Sequence, residues 1–338
     1  MRYLVTGGLG VIASLFAKNH TIPSDLVAIM DDGDSPRHRL NWGGMPKFVY
    51  RLGSNHERPG VMNFHATDRI LHAAASTGIP YSGQAPLDDW SRNVDGTIEV
   101  LEAVRAKPTP LVVLSSVKPY SLGKLFSMER DDHFNLSGDG VDESALLAPD
   151  EPYAASKAAQ SLISQAYART YDLPIVVFRC SNLYGPAAPH GPRHGWLTWL
   201  CIQAALGWTI EIQGSGKQTR DMLFASDVES AALLAFQALE AGDVERGRIF
   251  NLGGGSSNMI SVLQLVEMLR GMGAKFDTLQ APGRKNEDML FCTDCSAVQR
   301  DLGWERKVTV RDGVARVYEW ACQNRDALAA VYAEHGPK

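Results

Sequence analysis

The chain lacks the features that mark membrane, nucleic-acid-binding and disulfide-stabilised proteins. None of its apolar runs approaches the roughly 20 residues that a membrane-spanning helix needs. Its formal net charge of −5 predicts no broad attraction to nucleic acid or to an anionic membrane. Five scattered cysteines, an odd number, favour a reducing compartment, so we expect a cytoplasmic protein. We expect no secretory leader, because a strand begins at Arg2 without a basic flank or a cleavage site.

Metal ligands are also scarce in the sequence. Cys292 and Cys295 form a CxxC pair, but a zinc site needs two further ligands at similar spacing. The neighbouring sequence supplies no such Cys or His. We therefore predict no metal site and interpret the two thiols as residues that flank a strand.

The first fourteen residues predict a dinucleotide-binding turn. An apolar strand runs into the sequence GGLG, in which Gly7 and Gly10 are the outer glycines, and then into a helix start at Val11 and Ile12. The start of a helix offers free backbone N–H groups and partial positive charge, which bind a pyrophosphate. The glycines let the backbone approach that phosphate without a Cβ in the way. We place these four residues in a cofactor site, with an ordinary strand–helix connection as the alternative.

A second strand is expected to end in an acidic pair about twenty residues past the glycines. There Asp31 and Asp32 are placed to accept hydrogen bonds from the ribose hydroxyls of adenosine and to repel a 2′-phosphate. The predicted cofactor is therefore NAD rather than NADP. Arg37 and Arg39 leave an alternative open, in which the following loop folds back and binds a phosphate.

Apolar runs alternate with helical patterns through the first half of the chain, which predicts βα units and a parallel sheet. With 45% hydrophobic residues, the chain has enough apolar surface for one large domain or two modest ones. Strands are expected at 26–30, 48–50, 70–75, 111–116, 175–179, 210–212 and 249–252. Helices are expected at 88–104, 153–171, 196–207, 224–241, 262–270 and 310–324, with a long exposed loop at 121–151. The predicted fold class is α/β, with a Rossmann-type doubly wound parallel sheet and a smaller α/β C-terminal substrate lobe.

The sequence Tyr153-Ala-Ala-Ser-Lys157 carries the strongest chemical signal. Residues four apart share one face of a helix, and an ammonium beside a phenol favours the phenolate and lowers the pKa of the tyrosine. Such a tyrosine can exchange a proton with an alcohol while a nicotinamide exchanges hydride. Strand 111–116 ends in Ser115 and Ser116, at the sheet edge where ligands of open α/β folds bind. The alternative is a chance pair on a solvated helix.

These motifs resemble the extended short-chain dehydrogenases/reductases, in particular the NAD-dependent nucleotide-sugar epimerases and dehydratases. The resemblance covers nearly the whole chain through TGGLGVIAS, LHAAAS, NVDGT, YAASK, RCSNLYGP, TRDMLFASDV, FNLGGG and DLGWERK. It implies that Ser116 and Tyr153 lie at the reacting alcohol and that Lys157 tunes the tyrosine and holds the nicotinamide ribose. It further implies that Asn182 and two arginines surround the nucleotide diphosphate, namely Arg220 and Arg284.

The complete assignment of site residues rests on these motifs. To the cofactor we assign Gly7, Gly10, Val11, Ile12, Asp31, Asp32, Ala73, Ala74, Ala75, Asn93, Ser115, Tyr153 and Lys157. To the substrate we assign Ser76, Lys118, Asn182, Trp196, Arg220 and Arg284, and to catalysis Ser116, Tyr153 and Lys157.

The two residues that follow Ser116 indicate which branch of the family the chain resembles. Dehydratases of this family carry an Asp-Glu pair there, whereas this chain has Val117 and Lys118. The segments SSVKPY at 115–120 and IQGSGKQTRD at 212–221 resemble CDP-paratose 2-epimerases more closely than galactose 4-epimerases. We therefore expect an epimerase that oxidises a nucleotide-diphosphate sugar transiently and reduces it again on the other face.

Two other functions stay open at this point. One is a UDP-sugar 4-epimerase or an NAD(P)-dependent keto-sugar reductase on the same scaffold, and the more distant one is a non-catalytic dinucleotide-sensing regulator. We expect an NAD-binding domain at 1–181, to which 222–253 returns, and a substrate-binding lobe at 182–221 and 254–338. By analogy with the family, the helices that start near Asp88 and Tyr153 would form the contact of a homodimer or a dimer of dimers.

Overall fold

The computed structural model describes residues 1–7, 10–19, 26–31, 49–51, 67–121, 127–186, 191, 195–283 and 288–335. The strands are β1 (Arg2–Thr6), β2 (Leu26–Asp31), β3 (Val49–Arg51), β4 (Arg69–His72), β5 (Leu111–Ser116), β6 (Ser127–Glu129), β7 (Phe134–Leu136), β8 (Ile175–Cys180), β9 (Asn182–Tyr184), β10 (Ile210–Gln213), β11 (Thr219–Phe224), β12 (Arg248–Leu252), β13 (Met259–Ser261), β14 (Thr278–Ala281) and β15 (Leu290–Phe291). The helices are α1 (Val11–Asn19), α2 (Ile79–Gln84), α3 (Pro86–Trp90), α4 (Gly96–Ala106), α5 (Pro152–Tyr171), α6 (Trp196–Leu206), α7 (Ala225–Ala241), α8 (Val262–Gly271), α9 (Ser296–Leu302), α10 (Val310–Gln323) and α11 (Arg325–His335).

A seven-stranded sheet in the order β12-β8-β5-β4-β1-β2-β3 forms the centre of the fold, and its strands pair in parallel. Strands β5 and β8 are apolar runs buried on both faces, as expected for a sheet covered by helices on either side. The strand order reverses between β1 and β4, which is the switch point of doubly wound folds. The predicted Rossmann-type fold class is thereby confirmed.

Strand β4 is shorter than the sequence predicted. It was expected to continue to Ala75, but it ends at His72, opposite Thr6, where β1 also ends. The next residue still donates its N–H to the Thr6 carbonyl oxygen at 3.3 Å, and the Ala74 N–H then turns to the Thr6 hydroxyl. The apolar run LHAAA therefore leaves the sheet at the level where β1 ends, although β5 on its other side continues to Ser116.

The expected helix at 88–104 is present but is not uniform. Helix α3 continues into one π-helical turn, Ser91–Asp95, and then into α4. The wider turn brings Asn93 into the buried interior, where its side chain makes four hydrogen bonds. A π-turn inside an α-helix is often found at functional sites.

The expected loop at 121–151 also contains regular structure. Strands β6 and β7 form an antiparallel hairpin, and Tyr120 and Val141 join a small buried cluster with Phe291. The interpretation of this segment as wholly exposed is therefore wrong. Its inner side is held to the C-terminal part of the chain, since the Val141 N–H donates to the Cys292 carbonyl oxygen at 2.9 Å.

A second hydrophobic cluster lies beside the sheet and is built from α6, α8, α10, α11 and strands β10, β11 and β13. Strand β11 links the two regions, because it pairs with β9 at one end and with β13 and β15 at the other. Helix α7 packs on α1, and β12 is an edge strand of the large sheet. Among the described residues, no helix combines the length and the apolar character needed to cross a membrane.

Candidate active site

The glycine turn lies between β1 and α1 and is packed too tightly for a side chain. Gly7 has φ +68°, and a Cβ on it would lie 2.7 Å from the backbone N and Cα of Ala74. The Gly10 N–H donates to the Gly7 carbonyl oxygen at 3.0 Å and closes the turn. Val11 and Ile12 bury their side chains in the core, so this first helical turn offers its backbone N–H groups to a phosphate. The turn therefore fits the pyrophosphate of NAD.

The predicted contacts at the adenosine end are only partly described. Asp31 is the last residue of β2, at the carboxyl edge of the sheet, where it pairs in register with Arg51. Asp32, Arg37 and Arg39 lie outside the described residues, so their assignments stay predictions. The position of Asp31 at the end of β2 agrees with a role at the adenosine ribose.

The segment that follows β4 packs against the glycine turn, where the cofactor is predicted to bind. Ala73, Ala74, Ala75 and Ser76 lie there, and Asn93 fixes the last of them by accepting its backbone N–H at 2.8 Å. The Asn93 amide also donates to the Ser76 carbonyl oxygen at 3.3 Å. Asn93, which was predicted to bind the cofactor, thus holds this segment in place through hydrogen bonds to the backbone of Ser76.

The catalytic candidates come together at the end of β5 and the start of α5. The Ser116 hydroxyl accepts the Lys118 N–H at 3.1 Å and lies near enough to Tyr153 to lower the pKa of that phenol. The Ser115 hydroxyl instead donates to the backbone carbonyl oxygen of Lys157 at 2.8 Å and ties β5 to α5. Ser116, rather than Ser115, is therefore the serine that lies beside Tyr153.

Burial controls the ionisation of Tyr153. It raises the pKa of Tyr153 to about 12, the hydrogen bond with Ser116 lowers it, and the negative charge of Asp89 raises it further. The prediction that the pKa of Tyr153 is lowered is therefore wrong for the chain by itself. Desolvation of the phenolate outweighs the effects of neighbouring groups that lower this pKa. A positive charge on a bound nicotinamide ring would favour the phenolate by the same physical rule.

Lys157 is buried, and its ammonium is held by two acceptors. The Nζ atom donates to the Leu114 carbonyl oxygen at 2.9 Å and to Oε1 of Gln160. Burial lowers the pKa of Lys157 to about 8, while Cys180 and Asp89 act to raise it. The lysine is thus positioned by β5 and by its own helix at the carboxyl edge of the sheet.

Several buried polar residues of this site were not predicted. Asp89 accepts the Ser156 hydroxyl at 2.6 Å and lies close enough to Tyr153 and Lys157 to affect both pKa values. Gln160 follows Lys157 by three residues, and that helical spacing was the available signal for it. His72 and Thr97 lie within the motifs LHAAAS and NVDGT, but their pairing depends on the packing of α4 against β4.

The predicted substrate residues Lys118 and Arg220 converge on Asp288. The Lys118 ammonium bonds Oδ2 of Asp288 at 2.9 Å and lies 3.8 Å from Glu151, and Arg220 donates to the Asp288 carbonyl oxygen. They lie 102 positions apart in the chain, one beside Ser116 and the other in β11, which the sequence did not predict as a strand. This contact joins the large sheet to the C-terminal region next to the catalytic serine.

The other substrate candidates are spread over the second region. Asn182 begins β9 opposite Met222, and its amide lies 3.4 Å from the Asp221 carbonyl oxygen. Trp196 begins α6 and packs against the second hydrophobic cluster. Arg284 lies outside the described residues, so its assignment to the diphosphate stays a prediction.

The two thiols of the CxxC pair are buried beside the end of β12. Cys295 accepts the Gly253 N–H at 3.2 Å, and burial raises the pKa of both thiols beyond the physiological range. Over the part of the chain that the structure describes, no group of His, Cys, Asp and Glu is arranged to hold a metal ion. The thiols contribute to packing between β12 and α9.

The switch-point glycine turn and the Ser116–Tyr153–Lys157 arrangement define an NAD-dependent enzyme of the short-chain dehydrogenase/reductase class. The family model of the NAD dependent epimerase/dehydratase family matches residues 3–253, so the chain belongs to this family. The sequence-based assignments of family, enzyme class and cofactor are thereby confirmed.

Three similar proteins show the range of the family. CDP-paratose 2-epimerase of Salmonella typhi is 30% identical over 95% of this chain and 99% of its own length. The dTDP-glucose 4,6-dehydratase DesIV of Streptomyces venezuelae, solved with NAD and TYD bound, is 27% identical with a TM-score of 0.79, covering 98% of this chain and 100% of that one. UDP-glucose 4-epimerase of Thermotoga maritima, solved with UDP-glucose, shares the fold at 24% identity, with a TM-score of 0.81 and coverage of 97% and 100%. The protein is accordingly an NAD-dependent epimerase or dehydratase of nucleotide sugars.

Proposed function

We propose that the protein is a nucleotide-sugar epimerase of the CDP-paratose 2-epimerase type. The observation that carries the proposal is the contact between Lys118 and Asp288 beside Ser116. Val117 and Lys118 occupy the two positions where dehydratases of this family are expected to carry acidic residues, and the ammonium of Lys118 cannot act as the general base of an elimination. The similarity to the Salmonella typhi enzyme over nearly the whole of both chains supports the same choice.

In the proposed reaction the chain supplies proton transfer and positioning. Tyr153 takes the proton of one sugar hydroxyl and later returns it, and Ser116 holds the same oxygen through a hydrogen bond. Bound NAD would supply the hydride acceptor for the carbinol carbon and, after the keto sugar has turned its other face, the hydride donor. Lys157 holds the cofactor ribose by its ammonium, and Arg220 and Arg284 bind the nucleotide diphosphate. The net result is inversion of one stereocentre without net oxidation.

We also assign the cofactor and the substrate to different regions of the chain. We propose that residues 1–181, with 222–253, bind NAD, and that 182–221 and 254–338 bind the nucleotide sugar. The place of β12 at the edge of the large sheet supports the return of the chain to the first region. We further propose a cytoplasmic homodimer or dimer of dimers through α3 to α5, where Leu87, Trp90 and Leu162 are exposed.

A nucleotide panel tests the choice of substrate. CDP is expected to raise the Tm of the NAD-loaded protein more than UDP, GDP, ADP or dTDP at equal concentration, since stabilisation grows with the logarithm of affinity. A larger shift with UDP would favour the UDP-sugar 4-epimerase, and a response to NAD but to no nucleotide would favour the regulator. Net accumulation of NADH with substrate would contradict the epimerase cycle and favour a dehydrogenase or reductase.

A further inference from the structure

A continuous chain of buried hydrogen bonds connects the cofactor groove to the catalytic lysine. It begins at the Ala74 N–H, which donates to the Thr6 hydroxyl at 3.2 Å, and Thr6 lies 2.7 Å from Nδ1 of His72. Nε2 of His72 lies 2.9 Å from the Thr97 hydroxyl, which also accepts the Gln160 amide at 2.9 Å. Oε1 of Gln160 then accepts the ammonium proton of Lys157.

The directions of the bonds between Lys157 and Nε2 of His72 are fixed by the number of available hydrogens. The ammonium has donors only, so Gln160 must turn its carbonyl oxygen to Lys157 and its NH2 group to Thr97. The Thr97 hydroxyl donates its one hydrogen to the Asn93 carbonyl oxygen at 2.6 Å. Nε2 of His72 must therefore donate to Thr97. Because burial lowers the pKa of His72 to about 3, Nδ1 carries no proton and accepts from Thr6. His72 is thus neutral, with its hydrogen on Nε2.

Burial agrees with a neutral, ordered chain. Thr6, Thr97 and Gln160 are fully buried, and His72 is 2% exposed. Burial and the charge of Lys157 lower the pKa of His72 to about 3. A chain of this kind holds its members in one arrangement, because each broken bond would leave a buried polar group without a partner.

We propose that His72, Thr97 and Gln160 are positioning residues that hold the Lys157 ammonium in register with the cofactor groove. Thr97 is the central residue of this hydrogen-bond chain, since its hydroxyl orients both the Gln160 amide and the His72 ring. This inference rests on the proposed role of Lys157 at the cofactor ribose. It assigns to the motifs LHAAAS and NVDGT a task in placing the catalytic lysine.

The charged groups around Lys157 set the pH dependence that the test uses. Of the titratable groups there, Asp89 on α3 is charged, whereas His72 on β4, Cys180 on β8 and Tyr153, one turn earlier on the same helix, are neutral at physiological pH. A loosely held Gln160 would stabilise the ammonium less, so Lys157 would lose its proton at lower pH.

The test measures the release of bound NADH from the holoenzyme by its fluorescence on dilution, over a series of pH values. In the wild type, release is expected to accelerate with a midpoint near the Lys157 pKa of about 8, as the ammonium is lost. Thr97→Val is expected to move this midpoint to lower pH by about half a pH unit and to speed release at neutral pH about threefold. Gln160→Leu, which breaks the chain from the other side, should give the same shift and covers the case in which Thr97→Val fails to fold.

Two controls separate positioning from general packing. Thr97→Ser keeps the hydroxyl and should restore the wild-type midpoint. Thr109→Val removes a hydroxyl that is also buried but donates only to the Lys107 carbonyl oxygen at 3.0 Å, and it should leave release unchanged. Equal effects of Thr97→Val and Thr109→Val would overturn the positioning role, as would an NMR spectrum that places the His72 proton on Nδ1.

Lys157→Met distinguishes this inference from the proposed function. If Lys157→Met speeds NADH release and abolishes its pH midpoint while Thr97→Val and Gln160→Leu behave as wild type, only the positioning role is overturned. If Lys157→Met leaves NADH release unchanged, the assignment of Lys157 to the ribose fails, and the positioning role fails with it.

Discussion

Tyr153 and Lys157 lie one helical turn apart, and burial favours the uncharged form of each. It raises the pKa of the phenol to about 12 and lowers the pKa of the ammonium to about 8. The charged state of this pair therefore depends on its immediate partners, namely the Ser116 hydroxyl on one side and the acceptors Leu114 and Gln160 on the other. Small changes in these partners are expected to have large effects on catalysis.

Tyr153→Phe removes the hydroxyl that transfers the proton and keeps the ring. Turnover is expected to fall by about 10²–10⁴-fold, the usual contribution of general acid–base catalysis. NAD binding should stay nearly unchanged, because Lys157 and the glycine turn are untouched. Steady-state kinetics with the nucleotide sugar selected by the panel, together with NADH release, measures both. Full activity in this variant would contradict the assignment of Tyr153 as the proton carrier.

His72 is expected to make the fold sensitive to acid. Its pKa is about 3 in the folded protein against 6.5 in the unfolded chain, so below pH 6.5 only the unfolded chain takes up this proton. The free energy of unfolding should therefore fall as the pH drops toward 3, by about 1.4 kcal/mol per pH unit from this group. Above pH 6.5 the group contributes no pH dependence.

His72→Gln removes the titrating group while the amide still offers a donor and an acceptor. Urea unfolding between pH 6.5 and about 4 should show a shallower loss of stability in His72→Gln than in the wild type, by about one bound proton. Identical slopes would show that His72 is protonated in the folded protein, contrary to the neutral chain of hydrogen bonds.

At the scale of the element, helix α8 shows how one cap serves two contacts. The Ser261 hydroxyl accepts the Gln264 N–H at 3.1 Å, and the Gln264 side chain accepts the Ser261 N–H at 3.1 Å, which completes a capping box. The same hydroxyl donates to the Asp132 carbonyl oxygen at 2.6 Å, in the turn between β6 and β7. The cap thus also holds the hairpin to the second region.

Ser261→Ala is expected to lower the free energy of unfolding by about 2 kcal/mol, since it removes the cap and leaves a second bond unmade. Thr309→Ala is the matched control, because Thr309 caps α10 through the Asp312 N–H at 3.1 Å on an exposed surface and its hydroxyl donates to the carboxylate of the same Asp312 at 2.7 Å, not to another element. That control should cost about 1 kcal/mol. Urea denaturation of both variants measures the difference, and an equal cost would show that the contact with Asp132 adds nothing.

Some elements were predictable from the sequence and others were not. Strands β5 and β8 each begin with four consecutive apolar residues, and α5 carries a helical pattern over twenty, so each was predicted within a few residues. Strand β11 was missed because its sequence TRDMLF is polar at the start, although Asp221 is fully buried and bonds Ser181 at 2.5 Å. Burial of such a carboxylate depends on partners from another strand and leaves no local pattern.

At the scale of the whole molecule, the second hydrophobic cluster contains a close contact between Tyr184 and α10. Tyr184 lies at the end of β9 and is 1% exposed. A Cβ on Gly313 would lie 2.0 Å from the Tyr184 hydroxyl oxygen, well inside contact distance. Gly313 is therefore required by the approach of α10 to β9.

Gly313→Ala is expected to lower the free energy of unfolding by about 1–3 kcal/mol, the usual cost of overpacking a core. Gly83→Ala is the matched control, since Gly83 also lies in a helix and a Cβ added to it would have no neighbouring atom within 4 Å. Alanine is the better helix former, so Gly83→Ala should be neutral or stabilising by up to about 1 kcal/mol. Thermal unfolding of both variants provides the comparison, and a neutral Gly313→Ala would show that α10 shifts freely against β9.

By itself the sequence determined the parallel sheet, the dinucleotide turn, the pairing of Tyr153 with Lys157 and hence the class of NAD-dependent enzyme. These features depend on neighbours along the chain: apolar runs, glycines at a turn and two residues four apart on a helix. Local sterics and helical geometry fix them wherever the rest of the chain lies.

Only the tertiary structure decided which partners these residues meet. The bond from Lys118 to Asp288 spans 170 positions, and that from Thr6 to His72 spans 66. The raised pKa of Tyr153 likewise follows from burial by several elements at once, which opposed the local effect expected of Lys157. Desolvation and hydrogen-bond direction depend on everything packed around a group, and no spacing along the chain records them.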